Sequence, residues 1–325
     1  MRRFWLIVIL ILLAGGIFVC AIRWKAWFSN PPEPTWTGDT IDYHFHTFGA
    51  GHVPGFEHDG LYWRDVYNPD TLEILLFGDV HNALTHADWQ AVADRHPNAD
   101  CYAQLGDLVE RGYFYYNQQL YHNLQGTGFD TLPIINVPGN HEYRKGLQPQ
   151  LPDYWRQTFR HPHNGPEESK GTTYYIDFPN LRLIALDTHG LNHLYEYTRV
   201  NTWLKRVIKS ANDRFVIVIM HHPVFSTGKG RFNPGTFAAF VRPLSDADLV
   251  FAGHDHNYER RLPFVNTSST TKTKRGKLSQ DSVSALTGVP LYEDIRIYND
   301  TLFLQTRICD SGAVCDSVVI TRSVK

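Results

Sequence analysis

The sequence predicts an α/β (α+β) fold, a layered β-sheet sandwich flanked by helices, preceded by one N-terminal transmembrane helix. Three observations lead to this: five apolar strand-like runs that each end in polar residues, helix-compatible segments between them, and one long apolar stretch at the start. Strands that alternate with helices favour a layered α/β sheet. With 325 residues, 42% of them hydrophobic, the chain can form one large domain with a buried core.

The apolar stretch covers residues 4–22, which are 19 uncharged residues between pairs of basic ones. As a helix it would reach about 28 Å, close to the thickness of the hydrocarbon core of a membrane. We therefore expect residues 1–29 to anchor the protein in a membrane, or to be a signal peptide cleaved after "VCA". The positive-inside tendency then places the rest outside the cytoplasm, periplasmic or extracellular, and secreted if cleavage occurs.

Composition divides the remainder into a linker with an irregular lead-in, 30–69, and one domain, 70–325. The lead-in is rich in Pro, Gly and aromatic residues and has no lasting periodicity. With 31 basic and 33 acidic residues the net charge is −2, so no nucleic-acid partner is indicated. No pattern specifies an oligomeric state.

Two cysteines near the C-terminus bear on the compartment. Cys309 and Cys315 bracket "DSGAV", a turn-like link between two strand-like runs. In an oxidising compartment we expect them to form a disulfide. Cys101 lies in an apparent core strand, where an inert buried thiol is expected.

Five runs share one sequence pattern, an apolar strand-like stretch followed directly by polar residues: "LEILLFGDVH", "DCYAQLGDLVE", "LPIINVPGNHE", "FVIVIMHHP" and "DLVFAGHDH". In four of them a glycine precedes the first polar residue, and these are Gly78, Gly106, Gly139 and Gly253. Glycine lets the chain turn sharply and approach a ligand closely. Ligands in such sheets bind beyond the carboxyl ends of the strands, so we expect the five clusters to form one site.

Helix-compatible segments lie between the runs, at roughly 84–95, 113–125, 149–159, 196–209 and 234–242. Two later stretches, "YYIDFPNLRLIALDT" and "LYEDIRIYNDTLFLQTRI", predict antiparallel hairpins that turn at "PN" and "ND". Residues 266–290, rich in Ser, Thr and Lys, are interpreted as a solvated loop, with Lys272, Lys274 and Arg275 on a wet face rather than in a binding patch.

The clusters supply carboxylate, imidazole and amide groups and no thiolate: Asp79, His81, Asp107, Asn140, His141, His221, His222, His254 and His256. Such donors suit divalent Mn, Fe or Zn. One ion needs about four ligands, so this number predicts two ions, bridged by Asp107, which is alone at its strand end. His254 and His256 would point the same way if the chain stayed extended. Two divalent ions outweigh two aspartates, and such a cationic site attracts phosphate.

The motifs D-x-H, G-D-x-x-E, G-N-H-E, M-H-H-P and G-H-D-H, in this order, resemble the calcineurin-like metallophosphoesterase superfamily from about Leu72 to Asn266. "GHDHNYER" and "YYIDFPNLRLIALDT" are similar to the purple acid phosphatase branch. That branch has Gly where this chain has His81, and a metal-binding Tyr where it has Glu110. The resemblance implies a metallophosphoesterase-like fold and a site with two metal ions.

The resemblance also implies a role for each matched residue. One metal would be held by Asp79, His81, Asp107 and His256, and the other by Asp107, Asn140, His221 and His254. Asp107 and His141 are the implied catalytic residues, His141 as the acid that contacts the phosphate and helps the leaving oxygen depart. Asn140, His141 and His222 are the expected substrate contacts, although His222 has the alternative of packing only.

The function expected from this site is hydrolysis of a phosphoester by a metal-bound hydroxide, with a phosphorylated molecule as substrate. A phosphodiesterase or a lipid pyrophosphate hydrolase is the close alternative, since the expected anchor suits a lipid substrate. A membrane-anchored binding protein with a vestigial site is the alternative of another class. Missing ligands would mark it, and none is missing from the sequence.

Overall fold

The computed structural model describes residues 31–41, 43, 45–48, 71–145, 150–191, 193–225, 234–274 and 282–322. The expected anchor, 1–29, and most of the lead-in lie outside these ranges. Among the residues that are described, no helix combines the length and the apolar character needed to cross a membrane.

Thirteen strands and five α-helices make up the regular structure of the described ranges. The strands are β1 (Thr71–Phe77), β2 (Cys101–Gln104), β3 (Ile134–Asn136), β4 (Tyr174–Asp177), β5 (Leu181–Leu186), β6 (Phe215–Met220), β7 (Leu249–Ala252), β8 (Tyr258–Arg261), β9 (Phe264–Asn266), β10 (Ser284–Leu286), β11 (Leu291–Tyr298), β12 (Thr301–Ile308) and β13 (Val314–Thr321). The helices are α1 (His86–Arg95), α2 (Phe114–Leu124), α3 (Asp153–Thr158), α4 (Leu194–Lys209) and α5 (Pro234–Leu244).

The strands form two sheets, of six and of seven strands. The first has the order β13-β12-β11-β1-β2-β3 and the second β10-β8-β9-β7-β6-β5-β4. Each has a parallel centre, β1 with β2 and β3 in the first, and β5, β6, β7 and β9 in the second. Antiparallel strands extend both centres, including the predicted hairpins β4–β5 and β11–β12, which are confirmed.

Apolar side chains from both sheets form the central core, among them Ile74 and Leu76 from β1 and Ile217 and Ile219 from β6. Helices α1, α2 and α3 pack on the outer face of the first sheet, and α4 and α5 on that of the second. Strands that are apolar on both faces are expected between such layers. The predicted layered sandwich flanked by helices is confirmed, and each α-helix falls on a predicted helical segment.

Part of the lead-in packs on the domain. Phe45 and Phe48 are buried in the core, and Thr47 forms a parallel bridge to Ile134 at the edge of the first sheet. The backbone N–H of Ile41 donates to the side chain of Gln118 in α2. These contacts fix residues 45–48 beside the first residue of β3.

The predicted disulfide is wrong, because Cys309 and Cys315 are free thiols in this structure. Thr306 pairs with Asp316 and Arg307 with Val314, so Cys315 is the extra residue of a β-bulge. Its sulfur lies 3.3 Å from the carbonyl oxygen of Thr306, to which it donates. Cys309 instead packs against the apolar cluster under α1. The spacing of the two cysteines in the sequence could not reveal this bulge, which gives the two thiols different surroundings.

The first sheet contains a buried acid that belongs to none of the five polar clusters. Glu293 on β11 is fully buried and accepts hydrogen bonds from the hydroxyls of Thr306 (2.7 Å) and Thr267 (3.1 Å). Burial raises the pKa of Glu293 to about 8. The acid is therefore neutral in the folded protein at neutral pH.

Candidate metal centre

The polar clusters lie just after β1, β2, β3, β6 and β7, and their backbones turn sharply there. His81, Asp107, His254 and His256 all have left-handed backbone conformations, with φ between 53° and 68°. Asp and His tolerate this region better than most residues, although it still costs free energy. Strained backbone of this kind persists only where the surroundings fix it, which is typical of a functional site.

Glycines allow the loops to approach one another. A Cβ atom at Gly106 would lie 2.6 Å from the backbone nitrogen of Gly139 and 2.8 Å from Nδ1 of His221. A Cβ atom at Gly253 would lie 2.4 Å from Oδ1 of Asp79. These glycines allow a close approach to other parts of the site, and the expected close approach to a ligand stays a prediction.

The first group of donors surrounds Asp79. Nε2 of His256 lies 2.7 Å from Oδ2 of Asp79, and Nε2 of His81 lies 3.8 Å from the same oxygen. Nδ1 of His256 lies 2.6 Å from the carbonyl oxygen of Lys272 and donates to it, which turns Nε2 toward the carboxylate. Oδ1 of Asp79 accepts from the backbone N–H of His254 at 2.8 Å.

The second group surrounds Nε2 of His221. Oδ1 of Asn140 lies 3.1 Å from it, Nδ1 of His254 3.2 Å, and Oδ2 of Asp107 3.4 Å. Nδ1 of His221 donates to the carbonyl oxygen of Leu105 at 2.8 Å, so Nε2 faces the other three atoms. The nitrogen and oxygen atoms that converge in this way need a positive charge among them, either a proton on Nε2 or a metal ion in its place.

Asp107 joins the two groups. Its Oδ2 lies 3.9 Å from Nε2 of His81 in the first group and 3.4 Å from Nε2 of His221 in the second. This is the position that the sequence predicted for a bridging ligand. The described chain thus brings all seven predicted ligands together: Asp79, His81, Asp107, Asn140, His221, His254 and His256.

His254 and His256 separate, contrary to the expectation for an extended strand. β7 ends at Ala252, and both histidines have positive φ. His254 joins the group around His221, whereas His256 joins Asp79. The expectation from strand alternation is therefore wrong for this pair, because the strand ends before it.

The electrostatics of the site favour bound cations. Burial disfavours ionisation, yet the imidazole of His221 and two further histidines hold the pKa of Asp107 well below its usual range. Burial also disfavours a charged imidazole, but the Asp107 carboxylate raises the pKa of His221 to about 9. The site thus stabilises positive charge where His221 meets Asp107.

His81 adds a second indication. Burial lowers the pKa of His81 to about 4, so its ring is neutral, as a metal ligand must be. Both of its ring nitrogens are buried and form no hydrogen bond within the described ranges. Buried nitrogens without partners are costly, and coordination of a metal ion would satisfy one of them. The residues present therefore fit divalent metal ions in two adjoining groups.

His141 lies differently from the other histidines. Its backbone N–H donates to Oδ1 of Asp107 at 2.7 Å, and its Nδ1 lies 2.5 Å from the carbonyl oxygen of Glu110. These contacts direct Nε2 away from Glu110, to a point 3.9 Å from Oδ2 of Asp107. The side chain is 34% exposed, so a substrate can reach it.

His222 is buried beside the second group. Its Nδ1 lies 3.0 Å from the hydroxyl of Thr188, and its ring stacks on His189 with centroids 5.3 Å apart. The ring also lies 4.5 Å from that of His254. These contacts favour the packing alternative, and a substrate contact by His222 stays a prediction.

Two residues of the site were not assigned a role from the sequence. Glu142 is buried and accepts from the backbone N–H groups of Asp107 (2.8 Å) and Gly139 (2.6 Å), which ties two ligand loops together. Burial and the Asp107 carboxylate raise its pKa to about 7. The only signal was its place in "GNHE".

Lys272 is the second, and its side chain is 44% exposed, which agrees with the predicted wet face. Its carbonyl oxygen orients His256, and its ammonium group contacts the carboxylate of Glu110. Oε2 of Glu110 in turn lies 3.5 Å from Nδ1 of His81. Glu110, which the resemblance places where purple acid phosphatases have a metal-binding Tyr, therefore lies beside the ring of His81.

Another group of acids and histidine, Glu73, His96 and Asp294, does not resemble a metal site. Glu73 and Asp294 form ion pairs with Arg296, and Asp294 forms another with Arg307. Both ring nitrogens of His96 also have partners. Arginine supplies the positive charge here.

A two-sheet α/β sandwich with adjoining carboxylate and histidine groups at its strand ends defines a metallophosphoesterase. The sequence matches the calcineurin-like phosphoesterase family over residues 72–258, and the chain belongs to this family. The first sheet extends beyond the match, through β11, β12 and β13.

Relatives include plant purple acid phosphatases. Purple acid phosphatase 1 of Ipomoea batatas is 24% identical over 250 residues, 72% of this chain and 46% of that protein. Phosphoenolpyruvate phosphatase of Allium cepa is 25% identical over 252 residues, 74% of this chain and 46% of that protein. The chain thus spans about half the length of the relatives that it matches.

Solved structures show the same fold. GAP50 of Plasmodium, described as an anchor in the inner membrane complex, has a TM-score of 0.59 at 16% identity, covering 79% of this chain and 90% of that one. Purple acid phosphatase PPD1 of yellow lupin has a TM-score of 0.58 at 14% identity, covering 78% of this chain and 54% of that one.

Proposed function

We propose that the chain is a metal-dependent phosphoester hydrolase, a phosphatase with a two-metal centre. The observation that carries this is the convergence of all seven predicted ligands at one edge of the sandwich, with Asp107 between two groups. A vestigial site in a binding protein would be expected to lack some of these donors. One relative is named an Fe(3+)-Zn(2+) purple acid phosphatase, which supports Fe or Zn beside Mn as candidate metals.

One ion would be held by Asp79, His81, Asp107 and His256, and the other by Asp107, Asn140, His221 and His254. Ions bound there would lower the pKa of a water ligand and neutralise the charge of phosphoryl oxygens. The protein itself fixes the donors, through the backbone acceptors that orient His221 and His256.

His141 acts on the leaving group in this proposal. Its Nδ1 is held by the Glu110 carbonyl, and its Nε2 faces the exposed side of the site. From there the protonated ring gives its Nε2 proton to the leaving oxygen as the phosphorus–oxygen bond breaks. The amide of Asn140 lies in the adjacent position and is the second expected substrate contact.

The test is a substrate panel with the purified full chain, reloaded with Mn, Zn or Fe. It compares a nitrophenyl phosphate monoester, its diester, an alkyl phosphate and a lipid pyrophosphate. Metal-dependent release of phosphate from monoesters supports a phosphatase, whereas a preference for the diester or the lipid would establish one of the alternatives. An Asp79→Asn variant is the control for contaminating activity. Absence of hydrolysis with every metal and substrate would refute the proposed activity.

We further propose that the catalytic domain, 70–325, lies outside the cytoplasm behind the apolar segment 4–22. Cell fractionation tests the anchor, which predicts recovery of the chain with membranes. A mature protein that begins at Ile22 would instead establish a cleaved signal peptide.

A further inference from the structure

A cleft opens directly beside His141. It has a volume of about 170 Å³, and its wall includes Asn140 and His141. A phosphoryl group at the metal centre would therefore leave room here for the rest of the substrate. The residues that line this cleft would then contact the leaving group.

The wall of this cleft is strongly basic. Arg111, Arg144 and Lys145 line it, with Glu110 as the single acid. The carboxylate of Glu110 is already in contact with the Lys272 ammonium group. Within the described ranges no carboxylate forms an ion pair with Arg111 or Arg144. Arg111 and Arg144 thus bring positive charge to the cleft that no carboxylate of its wall pairs with.

Arg144 is held in place at the rim. Its backbone forms paired hydrogen bonds with Gln150, at 2.9 and 3.3 Å. Its Nε donates to the carbonyl oxygen of Gly112 at 3.4 Å, and its guanidinium carbon lies 5.6 Å from the centre of the Tyr113 ring. These contacts use one of its five N–H donors and leave the terminal nitrogens for an anion. A guanidinium positioned in advance binds a carboxylate or phosphate with little loss of freedom.

We propose that this cleft selects phosphomonoesters whose leaving group carries a second anion, a carboxylate or a further phosphate. This inference rests on the proposed function, since it names the substrate class of the same site. Arg111 and Arg144 would bind the second anion while the ester oxygen lies next to His141. The cleft is open to solvent, so salt should screen the preference.

A matched pair of substrates tests the charge alone. 3-Phosphoglycerate and glycerol 3-phosphate have the same carbon chain, and a carboxylate in the first replaces a hydroxymethyl group in the second. We expect kcat/KM to be about tenfold higher for 3-phosphoglycerate at low ionic strength, a difference typical of one charge-assisted contact. The ratio should fall toward one at high salt. A ratio near one at low salt would overturn the inference.

Variants locate the preference in the cleft. Arg144→Gln and Arg111→Gln should each lower the ratio several-fold. Arg144→Lys, which keeps the charge but not the planar guanidinium, should lower it less than Arg144→Gln. Arg206→Gln, on the exposed face of α4, is the matched control and should keep the full ratio. Because both substrates are measured on one preparation, partial misfolding cancels from the ratio. An undiminished ratio in both glutamine variants would overturn the inference, since the metal centre would then be its source.

The outcome also separates this inference from the proposed function. If nitrophenyl phosphate and both glycerol compounds are hydrolysed without a charge preference, the phosphatase stands and the inference fails. If none is hydrolysed by the metal-loaded protein, both fail.

Discussion

Replacement of His141 by alanine tests the assignment of an acid catalyst. The ring makes one hydrogen bond in this structure, to the Glu110 carbonyl, and its Nε2 lies 3.9 Å from Asp107. The bond from its backbone N–H to Oδ1 of Asp107 survives the substitution. His141→Ala should therefore leave Asp107 in position and the metal content unchanged.

The expected loss is in turnover. A positioned proton donor contributes roughly 10²–10⁴-fold, or about 3–5 kcal/mol of transition-state stabilisation. The full loss should appear with glycerol 3-phosphate, because an alkoxide departs poorly without a proton. It should be smaller with nitrophenyl phosphate, whose leaving group departs well as an anion.

The assay is kcat for both substrates, together with metal analysis of the same preparations. His122→Ala, which removes an exposed histidine from α2, is the matched control. Equal losses on the two substrates would refute proton donation and favour an electrostatic role on the phosphoryl oxygens. A parallel loss of metal would show that His141 is a ligand.

Three further predictions follow from other parts of the molecule. Asp107→Asn should lower metal content more than any other single ligand substitution, since Asp107 contacts both groups; elemental analysis showing two ions per chain would contradict this. Gly106→Ala should lower stability by at least about 2 kcal/mol, because the new Cβ meets Gly139; Gly126→Ala, also at positive φ but in open space, should cost less in the same denaturant titration. Glu293→Gln should flatten the pH dependence of stability. The folded pKa of about 8 exceeds the ordinary 4.5, so the contribution of Glu293 is fully present below pH 4.5 and falls by roughly 1.4 kcal/mol per pH unit as the pH rises from 4.5 to about 8. Parallel profiles of wild type and variant in urea unfolding at pH 5 and 7 would show that Glu293 does not titrate as described.

The sequence was sufficient to predict the layers of the fold and which polar side chains come together at the strand ends, because both depend on local patterns. An apolar run that ends in Gly and Asp is visible without a structure, and the end of a parallel strand is a fixed place in an α/β sheet. Asp79 and Asp107 were therefore identifiable from their strands alone.

What the sequence could not provide depends on contacts between distant loops. Lys272 contacts Glu110, which lies more than a hundred residues away in the sequence. Glu142 accepts from the backbone N–H of Asp107, a group that every residue except proline has. The disulfide prediction failed for a similar reason, since a single-residue bulge in β13 changed the direction of Cys315. Hydrogen bonds to backbone atoms and shifts of register leave little trace in residue type.

The position of the site between the two sheets explains why its motifs are so widely spaced in sequence. Asp79, Asp107 and Asn140 follow strands of the first sheet, whereas His221 and His254 follow strands of the second. Hydrogen bonds cross between the sheets at this point, among them those from the His254 N–H to Asp79 and from the His221 ring to the Leu105 carbonyl. The side chains of the site therefore come together only when the two sheets pack against each other in one arrangement over the shared core. Packing of that core and assembly of the metal centre are thus the same structural event.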